Sequence, residues 1–95
     1  MATVKWLPEA LADIERLHSF LREKNPEAAQ RAAKVILEGA RLLKKSPHIG
    51  RPMPDDFGRR ELFMAFGASA YVLRYVKEDA DTIVIIRVWH GKESR

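Results

Sequence analysis

Cysteine is absent from the sequence, and its absence removes two classes of small protein. Without cysteine, the 95-residue chain has neither a disulfide framework nor a thiolate metal site. No apolar stretch approaches the roughly 20 residues that a membrane-spanning helix needs. The N-terminal segment also lacks the apolar region and cleavage site of a secretory signal. These absences predict a soluble protein of the reducing cytoplasm, with no membrane partner.

Neither disorder nor a multidomain arrangement fits the composition. Hydrophobic residues make up 46% of the chain, which is enough for one small core. There is no internal repeat, low-complexity tract or linker, so we predict a single domain over residues 1–95. His18 and His48 have no partner at metal-ligand spacing, and we therefore predict neither a metal nor another cofactor.

Positive charge is concentrated in the second half of the chain. Residues 1–40 hold six basic and six acidic side chains, whereas residues 41–95 hold eleven basic and seven acidic ones. The net charge of +4 is compatible with an anionic partner, either nucleic acid or an acidic protein, and equally with a solvated surface. Charge alone does not choose between these readings.

The most apolar segment is Thr82–His90, in which six of nine residues are Ile, Val or Trp. Residues of these types favour a strand that is covered on both faces, so we predict that it lies inside a sheet, with Arg87 reaching solvent or a charged partner. Arg59–Phe66 and residues 70–77 predict two earlier strands. Short turns join the three into an antiparallel meander, which an N-terminal strand at residues 4–7 completes.

Two helices are predicted between the first strand and the meander. Pro8 suits the first turn of a helix, Asn25 and Pro26 end that helix and begin another, and Ser46 with Pro47 stops the second. Asp13 is assigned to the polar side of the first helix. The apolar stripe of the first helix is Leu11, Ile14, Leu17 and Leu21, with Phe20 beside it, and that of the second is Ala29, Ala33, Ile36, Ala40 and Leu43.

These elements predict an α+β fold of order β-α-α-β-β-β, in which a helical hairpin packs on a small, mostly antiparallel sheet. Pairing Lys77 with Thr82 assigns the two faces of the last two strands, although a register slip would exchange them. The face beneath the hairpin would carry Tyr71, Leu73, Tyr75, Val84, Ile86, Val88 and His90. The outer face would carry Val72, Arg74, Val76, Ile83, Ile85, Arg87 and Trp89, and a plausible register adds Arg60. An apolar surface that bears arginines suits a protein partner or an anion.

Several short motifs occur in a characteristic order along almost the whole chain. They are Asn25-Pro26 between the helices, Pro47-x-x-Gly50-Arg51 after them, Arg60-Glu61-Leu62, Tyr71-x-x-x-Tyr75, and Ile85-Ile86-Arg87-Val88-Trp89-His90-Gly91-Lys92. In this order the sequence resembles the RelE/ParE superfamily of bacterial type II toxins. The resemblance implies a toxin in a hetero-oligomer with a cognate antitoxin, whose C-terminal segment wraps over it.

The resemblance leaves two targets open. ParE-like members, which include plasmid-stabilization toxins, inhibit DNA gyrase by binding it. RelE-like members are ribosome-dependent mRNA endoribonucleases. Such an enzyme needs a base, a cation at the phosphate and an acid. His90 could act as acid or base, Glu61 as a second base, and Arg60, Arg74 and Arg87 could hold the phosphate.

No tyrosine follows His90, and the first two meander strands lack a dense lysine cluster. We therefore predict a ParE-like gyrase inhibitor without chemistry of its own, the mRNA endoribonuclease being the first alternative and a non-toxic antitoxin-binding module the second. In the ParE-like reading His90 is a hydrogen-bonded rim residue, and Arg87 pairs with the antitoxin or with a carboxylate such as Glu61. The candidate residues for binding antitoxin or target are Arg60, Arg74, Arg87 and Trp89.

Overall fold

In the computed structural model, which describes residues 3–93, prolines and one asparagine set the ends of two helices. Helix α1 spans Pro8–Lys24 and helix α2 spans Pro26–Lys45, as predicted. Asn25 serves both helices. Its amide donates to the Leu21 carbonyl at 2.6 Å, and its side chain accepts from the Ala28 amide at 3.1 Å. One residue therefore ends α1 and caps α2, which makes the turn of the hairpin tight.

The strands form one five-stranded sheet of order β1-β5-β4-β3-β2. β1 is parallel to β5, and the other pairs are antiparallel, so the predicted meander and the interior position of the last strand are confirmed. No helix within residues 3–93 is long and apolar enough to cross a membrane. The strand bounds are β1 Thr3–Trp6, β2 Arg51–Pro52, β3 Arg59–Phe66, β4 Ser69–Asp79 and β5 Thr82–His90.

Strand β2 was not predicted from the sequence. Its two residues, Arg51 and Pro52, pair with Glu61 and Arg60 at the outer edge of β3. A segment this short carries no detectable period, and proline at 52 has no amide with which to extend the sheet. The predicted loop between α2 and β3 is therefore attached to the sheet at one point.

The predicted pairing of Lys77 with Thr82 is wrong: Lys77 pairs with Ile83, and Thr82 pairs with Asp79, so the start of β5 lies one residue out of the predicted register. Arg74 pairs with Arg87, but the next residue of β4 pairs with Ile85, so Ile86 has no partner opposite it. Because of the shifted pairing, Ile83 and Ile85 enter the core, whereas Val84 and Ile86, which were predicted beneath the hairpin, are only partly buried. The extra residue at Ile86 then exchanges the two faces of the strand again and returns Val88 to the hairpin side, as predicted.

The core lies between the hairpin and the inner face of the sheet. The rings of Tyr71 and Tyr75 are buried there beside Leu73, as predicted. Helix α2 contacts this layer closely at Gly39, where an added Cβ atom would lie 2.1 Å from the Met64 sulfur. Ala32, rather than the predicted Ala33, belongs to the buried stripe of α2, whose other members are Ala29, Ile36, Gly39, Ala40 and Leu43.

Tyr75 fastens the loop after α2 to the sheet. Its hydroxyl donates to the Pro47 carbonyl at 2.8 Å and accepts from the Gly50 amide at 2.9 Å. Burial raises the pKa of Tyr75, so the hydroxyl keeps the proton that it donates. An added Cβ atom at Gly50 would lie 2.6 Å from Cε1 and from the hydroxyl of Tyr75. This close approach explains why the Pro47-x-x-Gly50 spacing requires glycine.

We expect Gly50→Ala to lower the free energy of unfolding by about 1–3 kcal/mol, because the Tyr75 ring is fully buried and its hydroxyl is hydrogen-bonded to Pro47 and Gly50, so the ring cannot move away from the added methyl group. Gly39→Ala is the matched comparison. It gains about 1 kcal/mol of helix propensity and displaces the flexible end of Met64, so it should cost less. Urea unfolding of both variants measures the difference. A larger loss for Gly39→Ala would contradict this account of Gly50.

Candidate functional site

One buried carboxylate joins helix α1 to strand β5. Asp13 is only 4% exposed, so its assignment to the polar side of the helix was wrong. Its Oδ2 accepts from Arg87 Nε at 2.7 Å and from the Val88 amide at 2.9 Å. Its Oδ1 accepts from Arg87 Nη2 at 3.0 Å and from Arg16 Nη2 at 3.1 Å. A carboxylate can be buried at this position because four donors replace its water.

The sheet edge explains why an acid is needed here. β1 ends at Trp6 opposite Ile85, so the last residues of β5 have no neighbouring strand on that side. The Val88 amide at this edge donates to Asp13, and the His90 amide donates to Glu93 Oε1 at 2.7 Å. Unpaired amides at a sheet edge can form hydrogen bonds with a strand of another chain. The carboxylates of Asp13 and Glu93 accept hydrogen bonds from the Val88 and His90 amides, so these two amides are not available to another strand.

The charge state of Asp13 follows from its donors. Burial alone raises the pKa of Asp13, but hydrogen bonds from Arg87, from the Val88 amide and from Arg16 outweigh it, and the pKa falls below its ordinary value of 3.8. Asp13 in turn raises the pKa of Arg87. The pair therefore stays ionised at neutral pH and serves as a structural contact. Sequence reasoning missed Asp13 although a signal existed, because it lies three residues after Ala10 and four before Leu17, within the buried stripe.

The outer face of the sheet carries arginines stacked on aromatic rings. Arg74 donates to Glu61 Oε2 from Nη2 at 2.9 Å and from Nε at 3.2 Å, and its guanidinium lies 4.8 Å from the centre of the Trp89 ring. Arg51 lies 4.8 Å from the centre of the Phe63 ring. Arg87 pairs with a carboxylate, as predicted, but that carboxylate is Asp13, and Glu61 pairs with Arg74. We call Arg51, Phe63, Arg74 and Trp89 the outer strip.

Arg60 does not join Arg74 and Arg87. It lies directly opposite Tyr75 in the β3–β4 pair, which places it on the hairpin side of the sheet. Its Nη1 donates to the carbonyls of His48 at 3.0 Å and Gly50 at 2.7 Å. The predicted cluster of three arginines is thus divided between the outer face, the β5 edge and the loop after α2.

An apolar groove of about 480 Å³ opens beside His90, between α1 and the end of the sheet. The His90 ring meets the Tyr71 ring edge-on at 5.4 Å, and its Nδ1 accepts from the Lys92 amide at 3.2 Å. Phe20, which was expected to flank the apolar stripe of α1, is 58% exposed at this groove. The other apolar side chains in the lining are Leu17, Leu21 and Phe66.

The four ribonuclease candidates do not converge. His90 pairs with Tyr71 and Arg60 with Tyr75, so the two are separated by about 13 Å along β4 alone. Glu61 and Arg87 are each held in an ion pair with another side chain. No group of three or more metal-ligating side chains within residues 3–93 could hold a metal ion.

The sequence matches the family model described as the ParE toxin of the type II toxin–antitoxin system parDE over residues 4–95. The chain belongs to this ParE toxin family. A toxin of Caulobacter vibrioides named RelE3 is 37% identical over 95 residues, with all of both chains covered. RelE1 of the same organism is 35% identical over 90% of this toxin and 89% of its own length.

The ParE toxin fold also agrees with a solved structure described as the chromosomal ParDE TA system from P. aeruginosa. The TM-score is 0.75 with 23% sequence identity, over 95% of this chain and 96% of that one. At this identity the likeness concerns the fold. It confirms the helical hairpin on a mostly antiparallel sheet.

In this ParE toxin, Asp13→Ala should lower the free energy of unfolding at neutral pH by about 2–3 kcal/mol, because it leaves Arg87 and the Val88 amide without their acceptor. Glu15→Ala, an exposed acid on the same helix, is the control and should change stability by less than about 0.5 kcal/mol. Urea unfolding measures both.

The sign of the pH dependence also follows. Because the pKa of Asp13 is lower in the folded state, its charge stabilises the toxin at pH values above the ordinary pKa of 3.8. This stabilisation is lost as the pH falls through the folded-state pKa. The difference between wild type and Asp13→Ala should therefore shrink in acid. An undiminished difference well below pH 3.8 would show that the Asp13 charge is not what stabilises the fold.

Proposed function

We propose that this toxin inhibits DNA gyrase by binding it and that a cognate antitoxin neutralises it by wrapping around the end of the sheet. The observation that supports binding without chemistry is the separation of His90 from Arg60, together with the ion pairs that hold Glu61 and Arg87. A ribonuclease needs these groups to converge on one phosphate.

The antitoxin is proposed to occupy the groove at Phe20, Tyr71 and His90. The groove is apolar along its floor. Of the charged residues in its lining, Arg16 is ion-paired with Asp13 and Glu93, whereas Lys92 is an exposed cation at the rim, so the groove suits a segment with apolar anchors and an acidic residue near Lys92. Because carboxylates occupy the Val88 and His90 amides, the segment is expected to dock through side chains rather than to extend the sheet.

The outer strip is proposed to contact gyrase. The proposal rests on Arg74, whose guanidinium lies over the buried ring of Trp89, and on the exposed Phe63 beside Arg51, because arginine and aromatic side chains are enriched at protein interfaces. Arg60 and Arg87, the other predicted candidates, are already bound to loop carbonyls and to Asp13. We therefore assign neither of them to the contact with gyrase.

Purified toxin added to gyrase, relaxed plasmid and ATP should abolish supercoiling and accumulate linear DNA. Arg74→Ala should weaken this inhibition by about tenfold or more, the effect expected of an interface anchor. Lys24→Ala, a cation on α1 that lies over Phe20 and away from the outer strip, is the control and should inhibit like wild type. A folded Arg74→Ala toxin of unchanged potency would contradict the assignment of the strip.

If the toxin does not affect gyrase, the next assay measures cleavage of mRNA on ribosomes. The mRNA endoribonuclease is retained as the second candidate because the Caulobacter relatives carry RelE names. Cleavage of mRNA that His90→Ala abolishes would establish that function in place of gyrase inhibition. Inactivity in both assays, together with harmless expression, would favour the non-toxic antitoxin-binding module.

The groove assignment has its own test. Phe20→Arg should weaken neutralisation by the antitoxin at least about tenfold, because it places a charge against the apolar lining, and should leave gyrase inhibition unchanged. Leu42→Arg is the matched control, since Leu42 is an exposed apolar residue of α2 outside the groove. Titration of toxin activity with antitoxin measures both variants.

Equal neutralisation of Phe20→Arg and wild-type toxin would rule out this groove as the principal antitoxin site. Loss of gyrase inhibition in Phe20→Arg, with the fold intact by circular dichroism, would instead assign the groove to the target.

A further inference from the structure

A second concave site lies at the opposite end of β4 from the groove, where the loop after α2 meets the sheet. This cleft has a volume of about 240 Å³. Its lining includes His48, Arg59, Arg60, Tyr75 and Lys77. The cleft is separate from both the proposed antitoxin groove and the outer strip. One of its walls is the loop that carries the Pro47-x-x-Gly50 motif, which has no role in the proposed function.

Arg60 is held rigidly in this cleft by neutral groups. Its Nη1 uses both of its N–H donors on the carbonyls of His48 and Gly50, and the hydroxyl of Tyr75 fixes the same loop. Nε and Nη2, which carry three further donors, make no hydrogen bond to residues 3–93. No carboxylate in that range forms an ion pair with Arg60. The guanidinium is therefore positioned while its charge remains uncompensated.

The surrounding charges reinforce this excess. Arg59 and Asp55 form an ion pair at 2.6 Å and cancel each other. Lys77 has no ion-pair partner in the described part of the chain, so Arg60 and Lys77 together leave a charge of about two within the cleft at neutral pH. In addition, Nε of Arg59 is buried without a hydrogen-bond acceptor among residues 3–93. The cleft therefore has more hydrogen-bond donors than acceptors and more cationic than anionic side chains.

We propose that the cleft binds a phosphate dianion, presented either as free phosphate or as the terminal phosphate of a nucleotide. A phosphomonoester carries about −1.5 to −2 charge at pH 7, which matches Arg60 and Lys77, whereas a single carboxylate would leave one cation unpaired. The free fork of the Arg60 guanidinium suits two oxygens of a phosphate group. Lys77 adds a point charge from β4, and the loop pinned by Tyr75 keeps the cleft open without the ligand.

The probe for the first test is inorganic phosphate, titrated into the folded full-length toxin at constant ionic strength with sodium chloride as the balancing salt. Saturable shifts of the His48 and Gly50 amide resonances are expected, because both residues give their carbonyls to Arg60. The absence of saturable shifts in these two amides, or equal shifts with chloride alone, would overturn the proposal.

Arg60→Gln should weaken phosphate binding about tenfold or more, which corresponds to about 1.4 kcal/mol. Arg41→Gln is the control because Arg41 is an exposed cation of α2 that does not line the cleft. If Arg60→Gln does not fold, Lys77→Gln replaces it. Lys77 is exposed, so that variant keeps the fold, and it should bind phosphate several-fold more weakly. Unchanged affinity in the folded variants would refute the site.

Titration with adenosine monophosphate distinguishes a nucleotide ligand from free phosphate. Tighter binding than inorganic phosphate, with the same loss in Arg60→Gln, supports a nucleotide ligand, and equal affinity supports free phosphate. Binding of adenosine monophosphate that is insensitive to both Arg60→Gln and Lys77→Gln would overturn the proposal, because the phosphate would then lie elsewhere. These outcomes are independent of the gyrase and antitoxin assays, which report on the other end of β4 and on the outer strip.

Discussion

The fold depends on the buried carboxylate of Asp13. It attaches α1 to β5 beyond the point where β1 ends, and it satisfies an edge amide and two guanidinium groups at once. Without an acceptor there, the end of β5 would present unpaired donors, and α1 would rest on that edge through apolar contacts alone. Because the carboxylate is desolvated, its donors must be placed well, and this requirement sets the position of the hairpin over the sheet.

The arginines that the sequence presents as one group have three different roles. Arg87 is part of the structural contact with Asp13, Arg74 lies between Glu61 and the buried ring of Trp89, and Arg60 is bound to loop carbonyls. A catalytic phosphate site would require them to converge. Their separation supports the proposal of a toxin that acts by binding, and it divides these cations among the Asp13 contact, the outer strip and the cleft.

β4 connects the groove and the cleft, because its two buried tyrosines lie four positions apart along the strand and each contacts one of these sites. Tyr71 lies beneath the groove with His90, and Tyr75 holds the loop beside Arg60. Three residues of the strand lie between them, and the two positions are about 13 Å apart, so ligands at the groove and at the cleft need not touch. The close approach of Gly50 to Tyr75 makes the loop part of the sheet and gives the cleft a fixed wall.

Periodicity and proline placement by themselves determined the two helices, the meander and the interior position of β5, because helix ends and apolar alternation depend on local residues. Motif order by itself also pointed to the toxin family. The bulge at Ile86, the burial of Asp13 and the separation of Arg60 from Arg74 were decided only by the tertiary structure. Register and ion-pair choice depend on which residues meet across strands and helices distant in sequence, and one inserted residue is enough to exchange the faces of a strand.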